Sequence, residues 1–165
     1  MKTLKCTLNQ QGIRSIINKL EAYNNDLPDK MAEMEDKLFI EVGEPIIDDK
    51  ISAAKGDSST DHSTTRTINL TPRGAECLIL LTGPDIAFIE FGAGMHYNGH
   101  VGDSPHPKGV ELGYTIGSYG YGLGRFDHWY HNGIKSFGTE ATMPLYRAAQ
   151  AMRFDVVRLC REVFL

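Results

Sequence analysis

The sequence predicts an α+β domain, with N-terminal helices and a C-terminal helix packed on a small, mostly antiparallel sheet, and a long Gly/His/Tyr-rich loop or ribbon set into it. Three observations lead there. Apolar residues recur at helical spacing near both ends of the chain. Between them, two strand-like runs flank Thr71-Pro72-Arg73-Gly74, which is turn chemistry. A dense apolar block, Pro84 to Gly94, then follows with one carboxylate, Glu90, inside it. At 165 residues and 18.3 kDa, a single domain over 1–165 is expected, with 95–132 as an extended loop region.

Residues 2–8 alternate, with Leu4, Cys6 and Leu8 on one face, and predict a short half-buried strand. Asn9 is placed to cap a helix from about Gln10 to Tyr23, on the spacing of Ile13, Ile16, Ile17 and Leu20; Asn24, Asn25 and Asp26 should end it. A second helix is expected to start near Pro28, with the stripe Met31, Met34, Leu38 and Val42. Gly43-Glu44-Pro45 predicts a kink or break, then a shorter piece to Lys55, because proline removes a helix hydrogen bond and crowds the preceding turn. The polar run 56–63 reads as an exposed loop, with His62 as a solvated side chain.

The hairpin arms are expected at 64–70 and 75–82. The second, Cys77-Leu78-Ile79-Leu80-Leu81, is apolar on both faces, which predicts a central strand covered by helices on one side and by something else, a neighbouring subunit among the options, on the other. In the central block, Gly83 and Pro84 open and Gly92 and Gly94 close a short helix of about two turns. A buried strand is the competing reading. Thr142 or Met143 should cap the last helix, with Pro144 in its first turn and Leu145, Ala148, Ala149, Met152, Val156, Leu159 and Val163 facing inward. Arg147, Arg158 and Arg161 line up on the opposite side with Phe154 between them, either as a solvated face or paired with acidic groups of an adjacent subunit; Phe154 favours the latter.

Composition excludes several functions. A net charge of -4 argues against a dedicated DNA-binding module, though not against a protein that lines a passage for DNA. Cys6, Cys77 and Cys160 are odd in number and far apart, and read as small core hydrophobes rather than a disulfide framework or zinc ribbon. Met1 to Lys5 lacks the apolar core of a signal peptide, and no apolar run approaches the roughly 18 residues that cross a membrane. A soluble protein made in a reducing cytosol, with no membrane partner, is expected.

Five of the six histidines, His96, His100, His106, His128 and His131, fall in the Gly/His/Tyr-rich region. The spacing of His96 and His100 would suit a metal on a helix, but Tyr97-Asn98-Gly99 between them does not make one, and no general-base Glu intervenes. Stacked or hydrogen-bonded loop histidines are the expectation. His128-Trp129-Tyr130-His131-Asn132 does not feed a helix as a ββα-metal nuclease requires, and Gly120 to Arg125 lacks the strand and helix of a phosphate-binding loop. Neither catalytic residues nor a cofactor or metal are expected, and Glu90 reads as a hydrogen-bonded structural group.

Ile86-Ala87-Phe88-Ile89-Glu90-Phe91-Gly92-Ala93-Gly94 resembles the A-x-x-[IV]-E-[FY]-G-[TA]-G signature of bacteriophage tail-completion proteins, part of the head–tail joining (neck) apparatus and often labelled minor capsid or morphogenesis proteins. Gly138 to Ala148 resembles that family's G-x-x-[AP]-x-P-[FL] entry to a terminal helix, and the order of elements is similar over about two-thirds of the chain. Two departures stand out: Ser58 to Arg66 matches the family's pre-hairpin segment poorly, and the Gly/His/Tyr region is longer. The resemblance implies a non-enzymatic virion protein, assembled in the host cytoplasm, that completes the tail and joins it to the head as a ring, commonly six-fold. Its implied partners are further copies of itself, the head connector or stopper, and the tail tube or terminator, with DNA passing through the lumen unbound. A subunit contact would then involve Phe88, Glu90, Phe91, Gly92 and Gly94, with Arg147, Phe154, Arg158 and Arg161 on the last helix. A related neck component is a close variant. The competing class is a metal-dependent hydrolase or nuclease using the loop histidines.

Overall fold

The computed structural model describes residues 7, 9–56, 58–71, 74–93, 104–113, 124–125, 128–131 and 133–164. The fold is α+β, as expected. The N-terminal strand expected at 2–8, with Cys6, lies outside the described residues.

Helix α1 runs unbroken over Gln10–Leu38, capped by the Asn9 side chain, which accepts from Gly12 N at 2.7 Å. The expected stop at Asn24 to Asp26 and restart at Pro28 do not occur: Pro28 sits inside the helix. The reason is positional. Pro28 and Asn24, whose carbonyl loses its donor, are both on the exposed side, where solvent can substitute, and the stripe resumes at Leu27, Met31, Met34 and Leu38. Packing at the far end outweighs the local cost of the proline.

The kink expected near Gly43 takes the form of a π-helical turn, Phe39–Gly43, in which Glu44 N–H reaches back to Phe39 O. The extra residue admits Pro45 in the first turn of α2, Glu44–Ser52, so the chain turns without ending the helix. Gly43 lets α4 pack close, since a Cβ would lie 2.9 Å from Met152 Sδ and 3.3 Å from the Phe39 ring, so that the Met152 side chain would have to move. α2 stops at Ser52, short of the expected Lys55, and Ala53 closes it.

Strands β1, Ser63–Thr71, and β2, Gly74–Thr82, form the expected hairpin, in register from Ser63↔Thr82 to Thr71↔Gly74. β2 is not central: the sheet has two strands, and β1 is the only strand beside it among the described residues. Its two apolar faces nonetheless differ in fate. Ile79 and Leu81 turn into the core, whereas Leu78 and Leu80 are 63% and 56% exposed. Helix α3, Ile86–Phe91, confirms the helical reading of the central block over the strand.

Within the Gly/His/Tyr-rich region, turns occupy 104–113, and a second antiparallel sheet joins β3 (Gly124–Arg125), β4 (His128–His131) and β5 (Ile134–Ser136) in that order. The Gly-Tyr alternation of 114–123 lies outside the described residues.

Helix α4, Pro144–Phe164, spans both halves of the core. At its start Ala148 joins Phe39, Ile47, Ile51, Leu81, Ile86 and Ile89. Towards its end Leu159 packs with Met34 and Leu38, supported by Met152, Val156, Cys160 and Val163. The expected inward stripe holds except at Ala149, which is exposed. Cys77 and Cys160 are half-buried free thiols, and burial pushes the Cys77 thiol above its ordinary range.

Candidate functional site

The central block is organised by a junction between α3 and α4. Two turns after Asp85, the chain leaves α3 through Gly92 at φ 82°, a left-handed conformation that glycine adopts at least cost, and a Cβ there would meet Ala141 Cβ at 3.2 Å. Ala93 and Thr139 then exchange backbone hydrogen bonds of 3.0 and 2.8 Å, and Ile89 O accepts from Thr142 N at 3.0 Å. These bonds lay the 139–143 segment along α3. Met143 completes the approach at φ 56°, an uncommon conformation for a residue with a Cβ.

That path brings the start of α4 onto Glu90. Pro144 has no N–H to satisfy; the next two donors, Leu145 N and Tyr146 N, bond Glu90 Oε2 and Oε1 at 2.8 and 3.0 Å. A carboxylate from one helix thus caps the N-terminus of another, where unpaired N–H groups and the helix dipole favour negative charge. His106 adds a third donor. Its Nδ1 accepts from Lys108 N at 3.1 Å, which assigns the ring proton to Nε2, 3.2 Å from Glu90 Oε1. Both side chains are buried, 6% and 9% exposed. The His106 ring lies edge-on to Phe91 and Tyr146, with centroids 4.6 and 5.2 Å away. Ser104 fixes the loop by donating from Oγ to Phe91 O and accepting from His106 N.

An acid and a histidine in contact invite a catalytic reading, but the wiring opposes it. In a catalytic pair the acid orients the imidazole and the second ring nitrogen faces a reactant. Here that nitrogen faces a backbone N–H, and three donors already converge on the carboxylate. A groove of about 650 Å³ opens beside the pair, lined by Leu81, Ile86, Ala87, Lys108, Leu112 and Tyr146 among others, and its walls are mostly apolar.

The residues expected at a subunit contact divide. Glu90 and Gly92 are buried in contacts within the chain, while Phe88 and Phe91 are half-buried; Gly94 lies outside the described residues. On α4, Arg147, Phe154, Arg158 and Arg161 do share the outer side. Phe154 is 87% exposed, and Val157, which sequence reasoning missed, is 55% exposed. Arg158 is not available to a neighbour in the way expected: it bonds Asp155 at 2.9 Å, Glu41 at 3.1 Å and Glu162 at 3.5 Å within its own chain. Asp155 first, and then Glu41, raise its pKa further, and Arg158 in turn holds the Asp155 carboxyl below its ordinary range. Lys37 bridges Glu33 and Glu162, both at 3.3 Å, so the network ties α1 to α4.

Of the five loop histidines, His106 is stacked and hydrogen-bonded as expected. His96 and His100 lie outside the described residues, and only the backbone of His128 and His131 is described. Among the described residues no three His, Cys, Asp or Glu side chains converge as metal ligands, and no helix is long and apolar enough to cross a membrane. His62 is not merely solvated. Its Nδ1 meets Thr60 O at 2.9 Å and its Nε2 meets Asp48 at 3.1 Å, which joins the 58–62 segment to α2. No signal in sequence spacing joins Glu90 to His106; the turn at 104–109 does so.

No protein-family model, curated protein or solved structure matches this chain.

Proposed function

We propose that this chain is a structural assembly subunit, a tail-completion protein of a tailed bacteriophage that joins the tail to the head connector as one member of a neck ring, without enzymatic activity. The observation that carries the reading is Phe154. It stands 87% exposed at the middle of α4, next to Val157 and between Arg147 and Arg161, for neither of which an acidic partner is present among the described residues. A large aromatic held in solvent and flanked by arginines is the composition of a protein–protein contact rather than of a free surface. The family signature at Ile86 to Gly94 supports the same reading from sequence. Its glutamate has a role suited to a scaffold: it caps the start of α4 and so helps set the direction in which the helix, with the proposed contact face on its outer side, crosses the core. The neighbour is expected to bring an acidic surface with an apolar recess, and the net charge of -4 allows DNA to pass the lumen unbound.

The test is Phe154→Asp in the intact particle. Stability is expected to change by no more than about 0.5 kcal/mol, since the side chain touches little of its own chain, while incorporation into tails and yield of joined particles are lost. Incorporation at the wild-type level would contradict the reading.

A further inference from the structure

The N-terminal half of α1 carries a second, separate surface. Its stripe is Ile13, Ile16, Ile17, Leu20, Tyr23 and Leu27, and no residue of the helix before Met34 is buried. Ile13 and Ile17 are each 47% exposed, Leu20 51% and Tyr23 45%. Further along the same helix, Met34 and Leu38 lie under α4. One apolar face is therefore covered over its second half and open over its first. A lone helix of this length is marginal in water and draws most of its stability from burying such a face.

We propose that the 13–30 segment pairs antiparallel with the same segment of a second copy. Ile13, Leu20 and Leu27 recur every seventh residue, with Ile16 and Tyr23 three places after the first two, which is a coiled-coil seam. In the antiparallel register that sets Leu20 against Tyr23 of the other copy, Ile16 meets Leu27 and the flanking Lys19 meets Asp26, twice by symmetry. Lys30 falls at the end of the overlap, where its aliphatic stem covers Ile13. A parallel pair loses these features: Lys30 would face Lys30 in the seam, and Lys19 would face Asn24. Lys19 and Asp26 are both exposed, and neither makes an ion pair among the described residues. The overlap stops before Met31, which seats against the hairpin at Gly74. It is about 27 Å long, so the contact belongs with interfaces below about 1,200 Å², weak and concentration-dependent. An isologous pair closes at two copies; it is independent of the ring contact on α4, and either can fail without the other.

Sedimentation equilibrium of the full chain across a concentration series tests this. The wild-type protein is expected to pass from monomer to dimer, and Leu20→Asp to remain a monomer with unchanged far-UV circular dichroism in the body of the fold. Lys19→Asp and Asp26→Lys are each expected to raise the dimer dissociation constant by about tenfold or more, roughly 1.4 kcal/mol, and the double exchange to restore it. A wild-type protein monomeric throughout the series would overturn the proposal. So would a dimer indifferent to Leu20→Asp, or single exchanges that the double exchange does not rescue.

Discussion

At the scale of the residue, Glu90 joins three pieces of chain far apart in sequence: α3 that carries it, the first donors of α4, and the 104–109 turn through His106. Removing it leaves two helix N–H groups and a ring N–H in a place with little water. Glu90→Ala is expected to cost about 2–4 kcal/mol in a denaturant melt, the range for lost charge-assisted hydrogen bonds at a buried site. Glu90→Gln keeps one acceptor but turns an amide donor towards the other N–H, and should recover less than half of the loss. A Gln variant as stable as the wild type would show that the charge is unimportant there. Glu35 is the opposite case. Desolvation raises its carboxyl above the ordinary 4.5, so the ionised form is disfavoured in the fold. Its stability contribution is present below that ordinary value and is lost as pH rises through the raised one. Glu35→Gln is therefore expected to stabilise the protein at neutral pH and to give no advantage in acid. His62 is raised above 6.5, first by the Thr60 carbonyl and then by Asp48. The protonated form is favoured in the fold, so the stability difference between wild type and His62→Gln should be largest below that value and fade as pH climbs through the raised one.

At the scale of the element, α1 and the α3–α4 junction show what a sequence reveals and what it conceals. Helical spacing, the Asn9 cap and the turn chemistry of 71–74 are local signals: the cap and the two hairpin arms formed where they were expected, while the first helix started at Gln10 as expected and ran on to Leu38. Proline is also local, yet its consequence depended on surroundings: Pro28 stayed in the helix because the Asn24 carbonyl that loses its donor lies on the exposed side, and Pro45 was absorbed by a π turn. Pro28→Ala should therefore raise both helix content and thermal stability, towards the roughly 3 kcal/mol that separates the two residues in a helix interior. A drop in stability would mean that the proline itself is needed for the path of the arm. Apolar residues on both faces of β2 do not say whether both faces are covered within the chain: Ile79 and Leu81 meet the core, while Leu78 and Leu80 are exposed. At the candidate site, Glu90 was legible as a hydrogen-bonded structural group, but its partners were not, since Leu145, Tyr146 and His106 lie 55, 56 and 16 residues away. Gly92 is held at φ 82° beside Ala141, and Gly92→Ala should cost about 1–2 kcal/mol.

At the scale of the whole molecule, the body is a small core with α4 running through both halves, and among the described residues exposed apolar side chains gather on the first half of α1, the outer face of β2 and α4 around Phe154, with single ones at Ile40, Leu70, Val110, Leu112 and Phe137. Single apolar residues on a surface are ordinary, but those on α1, β2 and α4 are grouped by element and face. The chain thus has a well-braced interior and exposed apolar groups on several elements, a distribution consistent with the assembly role proposed above. The charge network of Lys37, Glu41, Arg158 and Glu162 stays exposed and holds α1 to α4, so it contributes modestly to stability and is expected to weaken with salt.

Native mass spectrometry, on the full protein alone and after mixing with purified connector and tail tubes, tests the assembly role most directly, because mass and bound metal are read from the same spectra. A metal-free subunit that docks on the particles, or closes into a ring of defined copy number, is the outcome the assembly role requires. A subunit indifferent to both particles and carrying one tightly held metal ion would contradict it and favour hydrolytic chemistry at the loop histidines.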